Sequence, residues 1–311
     1  MISDIVKLGK RIYRTENPRE LHRFIVFLGR SEVHRRGMKE LFDWFQSDPA
    51  RKALLARHPF PMEQVTRAFF YAGSTFRERK SLICHHYALL QEKLTEENFQ
   101  RFGALDANYE IWNAGAEDVQ WYAKVSFSPG QRKEGLLAVT MMFGEHELYQ
   151  IIFWLDYDKQ GEESLFIGAM QGPNMEHAKD IIKDVTKRSH RYRTKNLILY
   201  MTQAVARSLG MKHIYAVTNA GYYAQNHVRR DRKLKTDFGA FWEEAGGQPT
   251  DDPRFDELPL VEPRKTMEEV PTRKRAVYRR RFAFLDDVDA QIAANMAKVL
   301  RQPEDHAGES R

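Results

Sequence analysis

With 311 residues, 42% of them apolar, the chain can fill a hydrophobic core without covalent staples. Its single cysteine, Cys84, excludes an intramolecular disulfide, and no run approaches the roughly 18 consecutive apolar residues of a membrane-crossing helix. A net charge of +6 permits anionic partners without naming one, so the basic residues carry meaning only where they cluster.

The N-terminal stretch MISDIVKLGKRIYRTENPRE has neither an apolar signal core nor a small-residue cleavage site, and a cytoplasmic protein is expected. Residues 1–100 predict several short helices: Asn17-Pro18 precedes an apolar-periodic stretch, and similar patterns run from Glu40 to Phe45 and from Arg77 to Leu94. Asp48-Pro49 and His58-Pro59-Phe60-Pro61 mark breaks, because proline drives its predecessor out of the helical region. His85 and His86 point to different faces of their helix, which argues against joint metal binding. With no CxxC or HExxH pattern either, no metal is expected.

From about residue 119 the pattern turns to strands, rich in β-branched and aromatic residues: Val119 to Phe127, Leu136 to Phe143, Leu148 to Tyr157 and Ser164 to Met170. Their short connections favour an antiparallel meander, since parallel neighbours need a long crossover. Asn174 is expected to cap a helix over about 175–189, and a second helix covers about 196–209 before Gly210. His213 to Thr218 reads as a strand, and the proline-punctuated residues 246–272 as an extended surface segment. A final strand and helix are expected from about 276 to 300, then a frayed polar tail over Gln302 to Arg311. The fold class is α+β: a helical region over 1–110, then a meander sheet with flanking helices over 111–311, ending in a basic segment.

Three basic clusters stand out: Lys187 to Lys195; Arg229, Arg230, Arg232 and Lys233; and Arg273 to Arg281. The first precedes a helix N-terminus, where free N–H groups and the helix dipole favour an anion, so Arg191, Arg193 and Lys195 are candidate phosphate contacts. A solvated basic loop is the competing reading, because no glycine there lets the backbone approach a ligand. The third cluster suits an anionic lipid or nucleic acid, or an exposed strand edge whose charge discourages aggregation. The edge is favoured, and no specific nucleic acid is expected.

Glu134, Asp237, Glu243 and Glu244 are possible acid/base groups, though surface carboxylates are common. Trp242, beside Phe238 and Phe241, reads as core or interface. Gln171 and Asn219 end two strands, and with Asp237 they are expected to line a pocket beside Lys195, because ligand sites in α/β sheets lie where strand ends meet helix starts. The plainer alternative is that Gln171 and Asn219 only satisfy turn backbone.

Glu134-Gly135, Leu148-Tyr149, the run from Ile167 to Pro173, Thr186-Lys187, Asp237 through Trp242, Leu258-Pro259 and Arg273 through Arg281 together resemble the VirK/YbjX family of bacterial proteins, over about residues 20 to 300. The resemblance implies a link to virulence and to tolerance of membrane-active antimicrobial peptides, with no established reaction or catalytic residues. The chain departs from the family at Arg191 and Thr194, where the resemblance leads one to expect glycine and proline in a His-Gly-Leu-Arg-Pro-Lys segment.

The element order also looks like part of a GNAT-type acyltransferase fold, in which a helix N-terminus receives the pyrophosphate of coenzyme A. An extra helix and the missing glycine-rich signature stand against that likeness. Two functions follow. One is an acyltransferase-like protein using acyl-CoA and acting on an envelope precursor or other small molecule. The other is a non-enzymatic stress or interaction protein whose basic surface meets anionic lipid or a protein partner.

Overall fold

The computed structural model describes residues 2–104, 107–226 and 237–302. Seven helices come first: α1 Ile2–Ile12, α2 Pro18–Val33, α3 Arg35–Gln46, α4 Pro49–Arg57, α5 Phe60–Gln64, α6 Phe76–Lys93 and α7 Glu96–Phe102. The Asn-Pro and Asp-Pro pairs turn out to be helix starts. Asn17 and Asp48 accept the free N–H groups of α2 and α4, and each proline takes a first-turn position, where its missing N–H costs nothing. A reciprocal cap between Thr75 and Glu78 opens α6.

The strands β1 Asn108–Asn113, β2 Trp121–Ser126, β3 Leu137–Phe143, β4 His146–Tyr157 and β5 Glu163–Gln171 form the antiparallel meander. A crossover through α8 Ala178–Arg188 and α9 Thr194–Ser208 returns the chain to β6 His213–Val217, parallel to β5. Then follow α10 Phe238–Glu244, β7 Gln248–Pro249, β8 Phe255–Leu258 and α11 Arg275–Ala297. The sheet order is β1-β2-β3-β4-β5-β6-β8-β7, and β5/β6 is its one parallel pair among the described residues. This is the α+β class expected, with the helices first.

Three local expectations need correction. The segment 246–272 is not wholly an extended surface stretch: β8 lies between β6 and β7, but its four residues, flanked by Pro253 and Pro259, are too few to display an alternating pattern. The strand expected at 276 is the first turn of α11. Val277 and Tyr278 suggest a strand locally, but Leu285, Val288, Ile292 and Met296, spaced by three and four, bury one helical face and settle the segment. The basic cluster there is therefore on a helix and its approach, not on a sheet edge. Finally, α8 begins at Ala178 behind His177, which has φ of 57° and no side-chain cap bond, so Asn174 does not cap it.

One apolar core runs from Ile5 of α1 to Val299 beyond α11. Helix α9 is buried along nearly its whole length and lies over β3 and β4, while α11 packs against α9 and β1. Asn295 of α11 donates to the Ile111 carbonyl (3.0 Å), and Gln291 accepts the Asn113 N–H (3.1 Å), so polar side chains occupy the outer edge of β1. Where β4 outruns β3, α6 takes over: His86 Nδ1 accepts the Leu155 N–H at 3.0 Å.

His86 and His58 are both fully buried, and burial pushes each imidazole down to about 3 from its ordinary 6.5; their mutual repulsion adds to this at His86. The unfolded chain takes up these protons below pH 6.5 while the folded chain refuses them until about pH 3. Stability therefore falls as pH drops through that window, by roughly 2 kcal/mol per histidine at pH 5. Urea melts at pH 7 and pH 5 should show a clear fall in midpoint; equal midpoints would refute the neutral pair.

Candidate functional site

The parallel pair β5/β6 is in register only from Ser164 to Ile167, opposite His213 to Ala216. Beyond that point β5 continues to Gln171 with β4 alone as strand partner, and the two strands part. The residues just ahead of β3 lie hard against the sheet at this fork. A Cβ on Gly168 would sit 1.8 Å from the Glu134 carbonyl oxygen, and one on Gly135 would sit 2.6 Å from the Phe153 oxygen. Only glycine permits both approaches, and together they hold Glu134 above the fork.

The Glu134 side chain is buried, with 4% of the residue exposed. Its Oε1 accepts the Tyr222 hydroxyl (2.7 Å) and its Oε2 accepts Gln171 Nε2 (2.7 Å). The chain of amides continues: Gln171 Oε1 accepts from Gln150 (3.0 Å), Gln150 accepts from Gln131, and Gln131 accepts the Ser128 N–H (2.8 Å). Among the described residues no salt bridge reaches Glu134. Burial raises its pKa, with the two hydrogen bonds pulling the other way, and burial together with Glu134 raises that of Tyr222. A carboxyl group of raised pKa, held by neutral donors, is equipped to accept and return a proton. Gln150 and Gln171 reach a cavity of about 310 Å³, with Tyr149, Gly172 and Met175 around it.

Gln171 thus belongs to the Glu134 network. Asn219 and Asp237 are joined to each other (Nδ2 to Oδ1, 2.8 Å) and cap α10: Asp237 accepts the Ala240 N–H and Asn219 accepts the Phe238 N–H. The two groups meet through Tyr222, whose ring lies 5.5 Å from that of Phe238. Lys195 lies over the Phe241 ring at 4.3 Å and 3.7 Å from a Glu244 oxygen, and Arg193 pairs with the same carboxylate. Lys195 does not line the cavity beside Gln171. Glu243 is exposed, and Trp242 is fully buried with its indole N–H on the Val217 carbonyl (2.8 Å).

Arg191 is exposed, with φ of 65°, and its carbonyl accepts from Arg281 (3.0 Å). Thr194 is the first residue of α9. The two departures from the family pattern therefore fall where the backbone suits a glycine and a proline. The cluster Arg229, Arg230, Arg232 and Lys233 lies outside the described residues.

The sequence reading missed Tyr222, Gln150 and Gln131. Gln150 was not findable, because the register that pairs Tyr157 with Glu163 sets it opposite Met170, and only the β-bulge between Ile152 and Phe153 brings it opposite Gln171. Nor was Tyr222, since only the crossover brings it back over the fork.

These elements define a mixed α+β protein whose parallel pair β5/β6 parts beside a buried carboxylate. The chain belongs to the DUF535 family, described as proteins of unknown function, whose profile matches residues 16–294, in agreement with the VirK/YbjX resemblance. It is 31% identical over 261 residues to the uncharacterized protein YbjX of Escherichia coli (strain K12), covering 82% of this chain and 77% of that one. An uncharacterized protein of Haemophilus influenzae is 26% identical over 231 residues, 72% of this chain and 70% of its own. Membrane protein LapB of Mannheimia haemolytica is 24% identical over 193 residues, 60% of this chain and 79% of its own. No solved structure matches the chain. Among the described residues no helix is long and apolar enough to cross a membrane.

The fork makes a sharp mutational claim. Gly168→Ala meets main chain rather than a movable side chain, so it should cost about 3 kcal/mol. A variant that melts with the parent would show that Glu134-Gly135 does not lie as described.

Proposed function

We propose that the chain is an acyltransferase-like protein that moves an acyl group from a coenzyme A thioester to a small acceptor, an envelope precursor or related molecule, in the cytoplasm. The observation that carries this reading is the parting of β5 from β6 beside Glu134. Among the described residues the end of β5 has no strand partner on its β6 side, and an amide-bearing arm such as that of coenzyme A can lie along it as an added strand would. The antiparallel meander, helical crossover and parallel return strand are also the element order of GNAT-type acyltransferases. Helix α9 starts at the same end of the sheet, and the charge of Arg193 acts on Tyr149, which borders the cavity beside Gln171.

The three basic residues suit the coenzyme's phosphates in part. Arg191 is exposed, but Arg193 and Lys195 already face Glu244, which an incoming phosphate has to displace. Glu134 supplies the chemistry this chain can offer. It takes the proton from the acceptor's amine or hydroxyl as that atom attacks the thioester carbonyl, and returns it to the coenzyme A thiolate expelled when the C–S bond breaks, while Tyr222 and Gln171 hold the carboxylate in one orientation. Calorimetry on the full chain should show saturable binding of acetyl-CoA and CoA, weakened about tenfold or more in the Arg191→Ala/Arg193→Ala/Lys195→Ala variant. No heat at millimolar ligand would remove this reading, and an unchanged affinity in the triple variant would remove the three residues from it.

A second reading has its own observation. Arg281 donates to the carbonyls of His190 and Arg191 and so draws the first and third basic clusters together, with Arg191, Arg273, Lys274, Arg279 and Arg280 exposed. Such a surface suits anionic lipid, a contact in keeping with the name of the LapB relative and with the antimicrobial-peptide link that the family resemblance implies. Co-sedimentation with phosphatidylglycerol vesicles should then be strong at low salt and fall as salt rises. Binding that ignores salt, or none, counts against it.

A further inference from the structure

At the opposite end of β5 from Gln171, a cavity of about 470 Å³ opens over β4, β5, β6 and β8. Strand register builds its floor. Trp154 pairs with Phe166, Phe166 with Tyr215 and Tyr215 with Glu257, one row across four strands. The rings stack in sequence, Trp154 on Phe166 (5.6 Å, 9°) and Phe166 on Tyr215 (5.1 Å, 28°). Tyr71, 6.2 Å from Trp154, bounds one side. Gln171, Tyr222 and Glu134 do not line this cavity, so it is separate from the fork.

The mouth is acidic although the chain as a whole is basic. The Asp158 carboxylate lies at its base, where Oδ1 accepts the N–H groups of Gln160 and Glu162 and Oδ2 accepts the Tyr215 hydroxyl (3.2 Å). His213 sits between Glu257 (2.7 Å) and Asp158 (4.0 Å), one imidazole for two carboxylates. Asp156 faces His85 at 2.6 Å. Arg254, which lines the cavity with Lys159, is committed to Asp252 at 2.7 Å and stacks on Tyr71, which leaves Lys159 against the remaining carboxylates, among them the exposed Asp251.

We propose that this cavity binds a small organic ammonium ion, its apolar body against the Phe166 and Tyr215 end of the aromatic row and its charge beside Glu257 and Asp251. Aromatic surface and excess negative charge in one recess favour a cation with an apolar body and repel an acid of the same shape. The volume holds a bicyclic amine. Three indoles of matched shape test this by calorimetry on the full chain: tryptamine, the neutral tryptophol and the acidic indole-3-propionate. Tryptamine should bind saturably and about tenfold or more tighter than tryptophol, with indole-3-propionate giving no binding. Glu257→Gln and Asp251→Asn, both at the rim, should each weaken tryptamine several-fold while the melting temperature holds. No saturable heat at about 10 mM tryptamine, equal affinity for the acid, or full affinity in both variants would overturn the proposal.

Discussion

Two glycines govern how the sheet is assembled. Gly168 and Gly135 let the main chain of residues 134–135 press onto β4 and β5 at distances no side chain allows, and the β-bulge between Ile152 and Phe153 falls at the same level. That contact carries a carboxylate under cover at the point where β5 leaves its parallel neighbour. A buried carboxylate is tolerable only if its lone pairs are met, and the Tyr222 hydroxyl and the Gln171 amide meet them. The amides of Gln171, Gln150 and Gln131 then align in turn, so one main-chain contact orders side chains from the 128–135 loop to the segment after β6.

The parallel pairing of β5 with β6 has further consequences. A parallel return needs a crossover, and α8 and α9 supply it, with α9 buried as the central helix over β3 and β4. The crossover also separates charge along the strands. At the start of β5 lie the carboxylates of the β4–β5 turn and of β8; at its end lies the loop before α9, reinforced by Arg281. The charge of this basic chain is thus uneven, with an acidic recess at one end of β5 and a basic surface at the other. Arg191 keeps a left-handed conformation within that basic loop, a backbone state that disfavours side chains by about 1 kcal/mol. The neighbouring carbonyls held by Arg281 help to keep it there.

What the sequence alone determined is what local chemistry can set. β-branched and aromatic runs with short turns define the meander, Asn17-Pro18 opens α2, the apolar residues before Gly210 mark α9, and one cysteine excludes an intramolecular disulfide. Even there, short or conflicting signals misled: β8 was too brief to show a period, and the start of α11 carried strand-like residues that its buried face outweighed. Tertiary structure decided everything that depends on residues far apart in the chain. Glu134 looked like one more carboxylate until Gly168, Tyr222 and Gln171 surrounded it. Asn219 and Asp237 were paired with each other by the fold, and Lys195 was turned to Phe241 and Glu244. The aromatic row exists only because β4, β5 and β6 lie side by side in one register. Periodicity reports which face of an element is buried, but which side chains then converge is set by strand register and crossover path, and those belong to the whole chain at once.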